Sequence, residues 1–126
     1  MIETATILTE NRIKQILRNH LIAQGWNTEV THRTNYGIDV LAFRGEVEWV
    51  ISIKGDESTD YVTSFITTLG VAIHMMEDPT KKYSIALPDN TPFRNLWKRW
   101  PAFAKDRTRI TALMVSENGM VTEVTR

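Results

Sequence analysis

The chain has 126 residues, with 15 Lys and Arg balanced by 15 Asp and Glu. That is enough for one compact domain with a modest core, but too little for a second domain or a long repeat array. A hydrophobic share of 42% and a charged share of 24% argue against disorder, and the zero net charge leaves any nucleic-acid reading to local placement. Cysteine is absent, which excludes disulfides, thiolate zinc sites, iron-sulfur ligation and cysteine nucleophiles.

The sequence opens without a basic leader, apolar core and cleavage site, and no apolar run approaches a membrane span. A cytoplasmic protein with no membrane partner is expected. From Thr9 to Gln24, Ile13, Ile16, Leu17 and Leu21 recur at helical spacing, with Thr9 able to cap the start and Gly25 placed to stop the end. WNTEVTHR reads as a short extended segment and TNYG as a loop. IDVLAFR and VEWVISIK are β-prone runs separated by Gly45 and Glu46, a hairpin signal.

Between Thr59 and Met76, a helical stripe of Tyr61, Val62, Phe65, Ile66, Leu69, Ile73 and Met76 is expected to face the core, although Thr63, Thr67 and Thr68 lower the intrinsic propensity. KYSIALP supplies another strand. Thr91-Pro92 resembles a helix cap followed by a first-turn proline, and Pro101 divides the helical region into FRNLW and AFAKDR. ITALMVS and MVTEVT alternate around Glu117-Asn118-Gly119 as a closing hairpin. The expected fold class is α/β, with a mixed central sheet flanked by helices and a C-terminal β-hairpin, in a single domain over 1–126.

Along VEWVISIK, alternation places Glu48, Val50, Ser52 and Lys54 on one face and Trp49, Ile51 and Ile53 on the other. Asp39 enters the adjacent strand from the opposite end of the hairpin, where antiparallel pairing can bring it close to Lys54. An acid there can bind a divalent cation, and a neighbouring lysine can orient water or stabilise phosphate charge. A single aspartate is a poor magnesium site on its own, and the blander account is an Asp-Lys salt bridge beside a turn.

The series GIDVLA followed by WVISIKG, with a helix carrying Glu10 before it and a long helix from Tyr61 to Met76 after it, resembles the restriction-endonuclease-like superfamily. These are the PD-(D/E)xK nucleases, whose relatives include Holliday-junction resolvases and Mrr-type restriction enzymes. The resemblance runs from about Glu10 to Leu87 and implies a restriction-endonuclease-like core. It also implies that Asp39 matches the metal-binding aspartate, Lys54 the lysine of the paired-strand motif, and Glu10 the acid contributed by the first helix. Glu10 lies three, seven and eleven residues before Ile13, Leu17 and Leu21, on the side that should face the protein.

Ser52 departs from that pattern, since relatives carry Glu, Asp or occasionally Gln two residues before the lysine. A neutral hydroxyl is a much weaker magnesium ligand than a carboxylate. Glu10 could compensate, or Asp56 or Glu57 after a local bend. Glu48 lies four residues from Ser52, about 13 Å along an ideal strand, and is a weak replacement.

His20, His32 and His74 lack metal-ligand spacing, no serine sits in a nucleophile elbow, and no glycine-rich phosphate loop supports a nucleotide cofactor. Between Arg94 and Arg109 six basic residues, Arg94, Lys98, Arg99, Lys105, Arg107 and Arg109, face the single acid Asp106. They could serve a phosphate backbone or form a solvated surface. Trp97 and Trp100 fit core or interface packing better than base stacking, leaving Arg94, Lys98 and Arg99, with Arg33 and Tyr36 near the acidic site, as DNA-contact candidates.

Two functions compete. One is a divalent-metal-dependent DNA endonuclease using Mg2+ or Mn2+, in which Glu10 and Asp39 hold the metal and Lys54 organises water. The other is a noncatalytic DNA-binding or assembly protein that keeps the scaffold. A homodimer through the final hairpin or the tryptophan-rich region is a third, structural reading.

Overall fold

The computed structural model describes residues 7–30 and 40–126. The first helix, α1 (Glu10–Ala23), starts where expected: Thr9 is extended, and its hydroxyl accepts from the Arg12 N–H. It ends in a Schellman motif, with the Trp26 N–H donating to the Leu21 carbonyl and the Gly25 N–H to that of Ile22, each at 3.0 Å. Gly25 sits at φ +90°, a conformation that favours glycine.

Six strands follow: β1 (Asn27–Val30), β2 (Val40–Arg44), β3 (Val47–Ile53), β4 (Lys82–Pro88), β5 (Thr111–Val115) and β6 (Val121–Val124). They form one sheet in sequence order, parallel between β3, β4 and β5 and antiparallel elsewhere. The β2–β3 hairpin turns through Gly45 and Glu46, with Arg44 opposite Val47. The closing hairpin turns through Glu117-Asn118-Gly119, held by a bond from the Ser116 N–H to the Met120 carbonyl at 2.9 Å and one from the Gly119 N–H to the Ser116 carbonyl at 3.0 Å.

The parallel connections require crossovers. The helix α2 (Tyr61–His74) links β3 to β4, and α3 (Thr91–Arg99) with α4 (Ala102–Thr108) links β4 to β5. Helices therefore lie on both faces, which is why β3 and β4 read as nearly continuous apolar runs. α1 covers Val40, Ala42, Trp49, Ile51, Ile53, Ala86, Leu113 and Val115. α2 and α3 cover Val50, Tyr83, Ile85, Leu87, Ala112 and Met114 on the opposite face.

Two local expectations need correction. The cap of α3 is Asn90, whose side-chain oxygen accepts from the Phe93 N–H at 3.0 Å, so Thr91 and Pro92 already lie in the first turn. In α2 the face turned to the sheet carries Ser64, Phe65, Thr68, Leu69 and Ala72, while Val62, Ile66 and Ile73 are exposed. Thr68 can be buried because its hydroxyl donates to the Ser64 carbonyl one turn back, at 2.8 Å. Among the described residues, no helix is long and apolar enough to cross a membrane.

Candidate functional site

The site lies where β3 ends. The parallel ladder continues one residue past the strand, the Lys54 N–H donating to the Ala86 carbonyl at 3.0 Å. Lys54 Nζ then stands 3.6 Å from Glu10 Oε1, in an ion pair whose side chains are 30% and 37% exposed. Glu10 is the first residue of α1, so the helix phase and the Thr9 cap together aim its carboxylate at the strand end. At that exposure the attraction is screened by water and is worth less than about 1 kcal/mol; its interest is positional.

What fixes the pair is a strap between residues 8–10 and 54–57. The Leu8 N–H donates to Asp56 Oδ1 at 2.8 Å and the Asp56 N–H returns a bond to the Leu8 carbonyl at 3.0 Å. The Glu57 carboxylate accepts from the Glu10 N–H at 3.2 and 3.3 Å, a negative charge on the N-terminus of α1 where the helix dipole favours it. Gly55 lies between the two segments. A Cβ there would meet the Glu57 carboxylate, and would stand 2.5 Å from Glu10 N and 2.8 Å from the Leu8 carbonyl oxygen. Leu8 and Gly55 are site residues that local sequence reading misses, since the segments are 48 positions apart; the one visible signal is Gly-Asp-Glu directly after a strand.

Burial raises the Asp56 carboxyl above its ordinary range, opposed by the Leu8 N–H and reinforced by the charge of Glu57. The folded state therefore holds the proton more tightly than the unfolded chain, and stability from this group falls as pH rises through that window. Asp56→Asn keeps an acceptor for the Leu8 N–H without the charge. We expect it to match or exceed the native protein in denaturant midpoint at pH 7, whereas Asp56→Ala, which orphans that N–H, should lose about 1–2 kcal/mol. Equal midpoints for both variants would remove the strap from the account.

Ser52 is 2% exposed, opposite Ile85 on the face covered by α2 and α3, and its hydroxyl has no hydrogen-bond partner. Glu48 is turned elsewhere, paired with Lys81 at 2.8 Å. Asp56 and Glu57 are engaged by backbone N–H groups, as above, and do not take the missing acid's place. Asp39, Arg33, Tyr36 and His32 lie outside the described residues; Val40, which follows Asp39 in sequence, pairs with Ile51. Among the described residues, no group of three His, Asp or Glu side chains converges. Glu10 faces a lysine, and the motif position holds a buried hydroxyl.

The fold is shared with an XisH family protein. That protein, from Nostoc punctiforme, is 17% identical to this chain with a TM-score of 0.62, over 87% of this chain and 95% of its own. An FdxN element excision controlling factor protein from Anabaena variabilis is 14% identical with a TM-score of 0.51 over the same shares. No protein-family model and no curated protein matches the sequence. At such identity the likeness shows the fold alone.

The basic run from Arg94 to Arg109 disperses. Arg94 grips Asp89 through Nε and Nη2 at 2.5 and 2.9 Å, a bidentate pair that lowers the Asp89 pKa. Lys105 is buried with Nζ 4.7 Å from the Trp97 ring centroid, and Arg107 lies over Phe103. Trp97 is buried and Trp100 half-buried, their ring centroids 5.5 Å apart, as core packing requires. Lys98 and Arg99, in the last turn of α3, are exposed and make no ion pair among the described residues. Of the basic candidates in the run, they are the two with charge left for a ligand on α3.

Proposed function

We propose that this chain acts on DNA in a rearrangement process through a nuclease-like scaffold, holding the nucleic acid without hydrolysing it. The observation that carries this reading is Ser52: the position two residues before Lys54 holds a buried, neutral hydroxyl. The carboxylate beside Lys54, that of Glu10, has its charge answered by the lysine. A hard dication needs about six oxygen ligands and strongly favours carboxylates among them. The Anabaena variabilis neighbour is an excision controlling factor, and that suggests the process. Lys98 and Arg99 supply phosphate attraction, with Arg33 and Tyr36 as further contacts.

A second reading, divalent-metal-dependent hydrolysis at Glu10, Asp39 and Lys54 with Mg2+ or Mn2+, is favoured by one distance. The first-helix acid, to which the nuclease resemblance assigns a metal-holding role, comes within 3.6 Å of the strand-end lysine.

One experiment separates the two. In EDTA the protein is expected to bind duplex or branched DNA, and to lose about 40-fold in affinity between 50 and 200 mM salt if three phosphates are neutralised. Lys98→Ala with Arg99→Ala should reduce the slope of log K against log salt by about 1.8. Binding should survive Asp39→Ala, and the DNA should stay intact in manganese. Cleavage that disappears in Asp39→Ala and Lys54→Ala would establish the hydrolytic reading instead, and binding with no salt dependence would remove DNA from both.

A further inference from the structure

The outer face of α2 carries an exposed apolar stripe. Val62, Ile66 and Ile73 are 57%, 58% and 48% exposed. Their spacing of four and seven residues puts them on one stripe of the helix, beside the buried row of Phe65, Leu69 and Ala72. Thr63, Thr67, Gly70 and His74 complete the exposed surface of the helix. A Cβ built on Gly70 meets nothing within 4 Å, so another backbone can approach closely there.

Charge makes this face unlike the rest of the surface. A quarter of the chain is charged, yet from Tyr61 to Met76 there is no Asp, Glu, Lys or Arg. A solvated crossover helix ordinarily carries charges on its outer side, whereas here the only polar side chains besides His74 are short hydroxyls.

We infer that α2 packs against α2 of a second copy of this chain about a two-fold axis. The absence of charge selects that occupant. Nucleic acid and anionic lipid surfaces are recognised by Lys and Arg, and this face offers neither. A charged protein surface placed here would be desolvated with nothing to pair it, which is costly. A second α2 is uncharged and apolar on the same stripe, and a two-fold contact is self-complementary by construction. Ile66, in the middle of the stripe, then faces its own counterpart.

Light scattering on the full chain tests this. The native protein is expected at twice the 14.5 kDa chain mass. Ile66→Glu and Ile66→Lys should each run at the chain mass with an unchanged circular dichroism spectrum, because the residue touches solvent in the monomer. Mixing the two should restore the doubled mass, since opposite charges then meet across the axis. Thr67→Lys, on an exposed and already polar position, gives the same dissociation should either Ile66 variant misfold. A native protein that stays at the chain mass at about 1 mM overturns the inference. So does a doubled mass that survives both Ile66→Glu and Thr67→Lys, which would move the contact to the final hairpin or the tryptophan-rich region.

Discussion

Gly55→Ala is expected to lower stability by about 1–3 kcal/mol and to separate Glu10 from Lys54. The added Cβ meets two kinds of neighbour. The Glu57 carboxylate is the end of a flexible side chain and can swing away, although it then leaves the N-terminus of α1. Glu10 N at 2.5 Å and the Leu8 carbonyl oxygen at 2.8 Å are backbone, so relief requires residues 8–10 to move as a body. That movement breaks the reciprocal Leu8–Asp56 bonds and takes the start of α1 with it. A urea titration should show a lower midpoint with an unchanged slope and a loss larger than that of Asp56→Ala, which removes one of the same bonds without adding volume. A midpoint equal to the native one would mean that the two segments are not held together in solution, and the placement of Glu10 would lose its basis.

The same residues show where sequence reading succeeds and where it stops. The phase of Glu10 relative to Ile13, Leu17 and Leu21 was legible because a helix converts spacing into direction; its ion pair with Lys54 was not, since the hairpin pattern offered Asp39 as the lysine's partner. The hairpins were legible for a similar reason, since two short connections each join a pair of β-prone runs. The strap was not legible: the bonds between Leu8 and Asp56 and the close approach at Gly55 depend on how α1 meets the end of β3, which no local pattern encodes. α2 misled in a different way. Its apolar residues cover more than half the helix circumference, so hydrophobicity marks the buried row and the exposed stripe alike. Small hydroxyl residues then occupy the contact with the sheet, where Thr68 satisfies itself against the Ser64 carbonyl. The Asn90 cap was missed by one residue because Thr-Pro is itself a start signal, one that here falls within the first turn.

Ser52→Asp is expected to cost about 3–5 kcal/mol at pH 7 without metal, and to regain much of that loss in manganese. The cost follows from burial: the side chain is 2% exposed and its hydroxyl has no partner, so a carboxylate placed there is desolvated and unpaired. Ser52→Ala, by contrast, should be neutral or slightly stabilising, because it deletes a buried polar atom that bonds to nothing. Desolvation would raise the new aspartate above its ordinary pKa of about 3.9. Between that value and the raised one, the folded state binds more protons than the unfolded chain. Stability relative to the native protein is therefore highest below about pH 4 and is lost as pH rises. A cation that binds the folded state alone restores about 2.7 kcal/mol at a hundredfold excess over its dissociation constant. Thermal melts at pH 7 with and without manganese measure this directly, with the native protein expected not to respond. Recovery specific to Ser52→Asp, abolished by adding Asp39→Ala, would mark Ser52 as the acid that a metal-binding hairpin lacks. Equal loss in the presence and absence of manganese would place position 52 beyond reach of any ion and leave the Glu10–Lys54 pair a structural clasp at the end of β3.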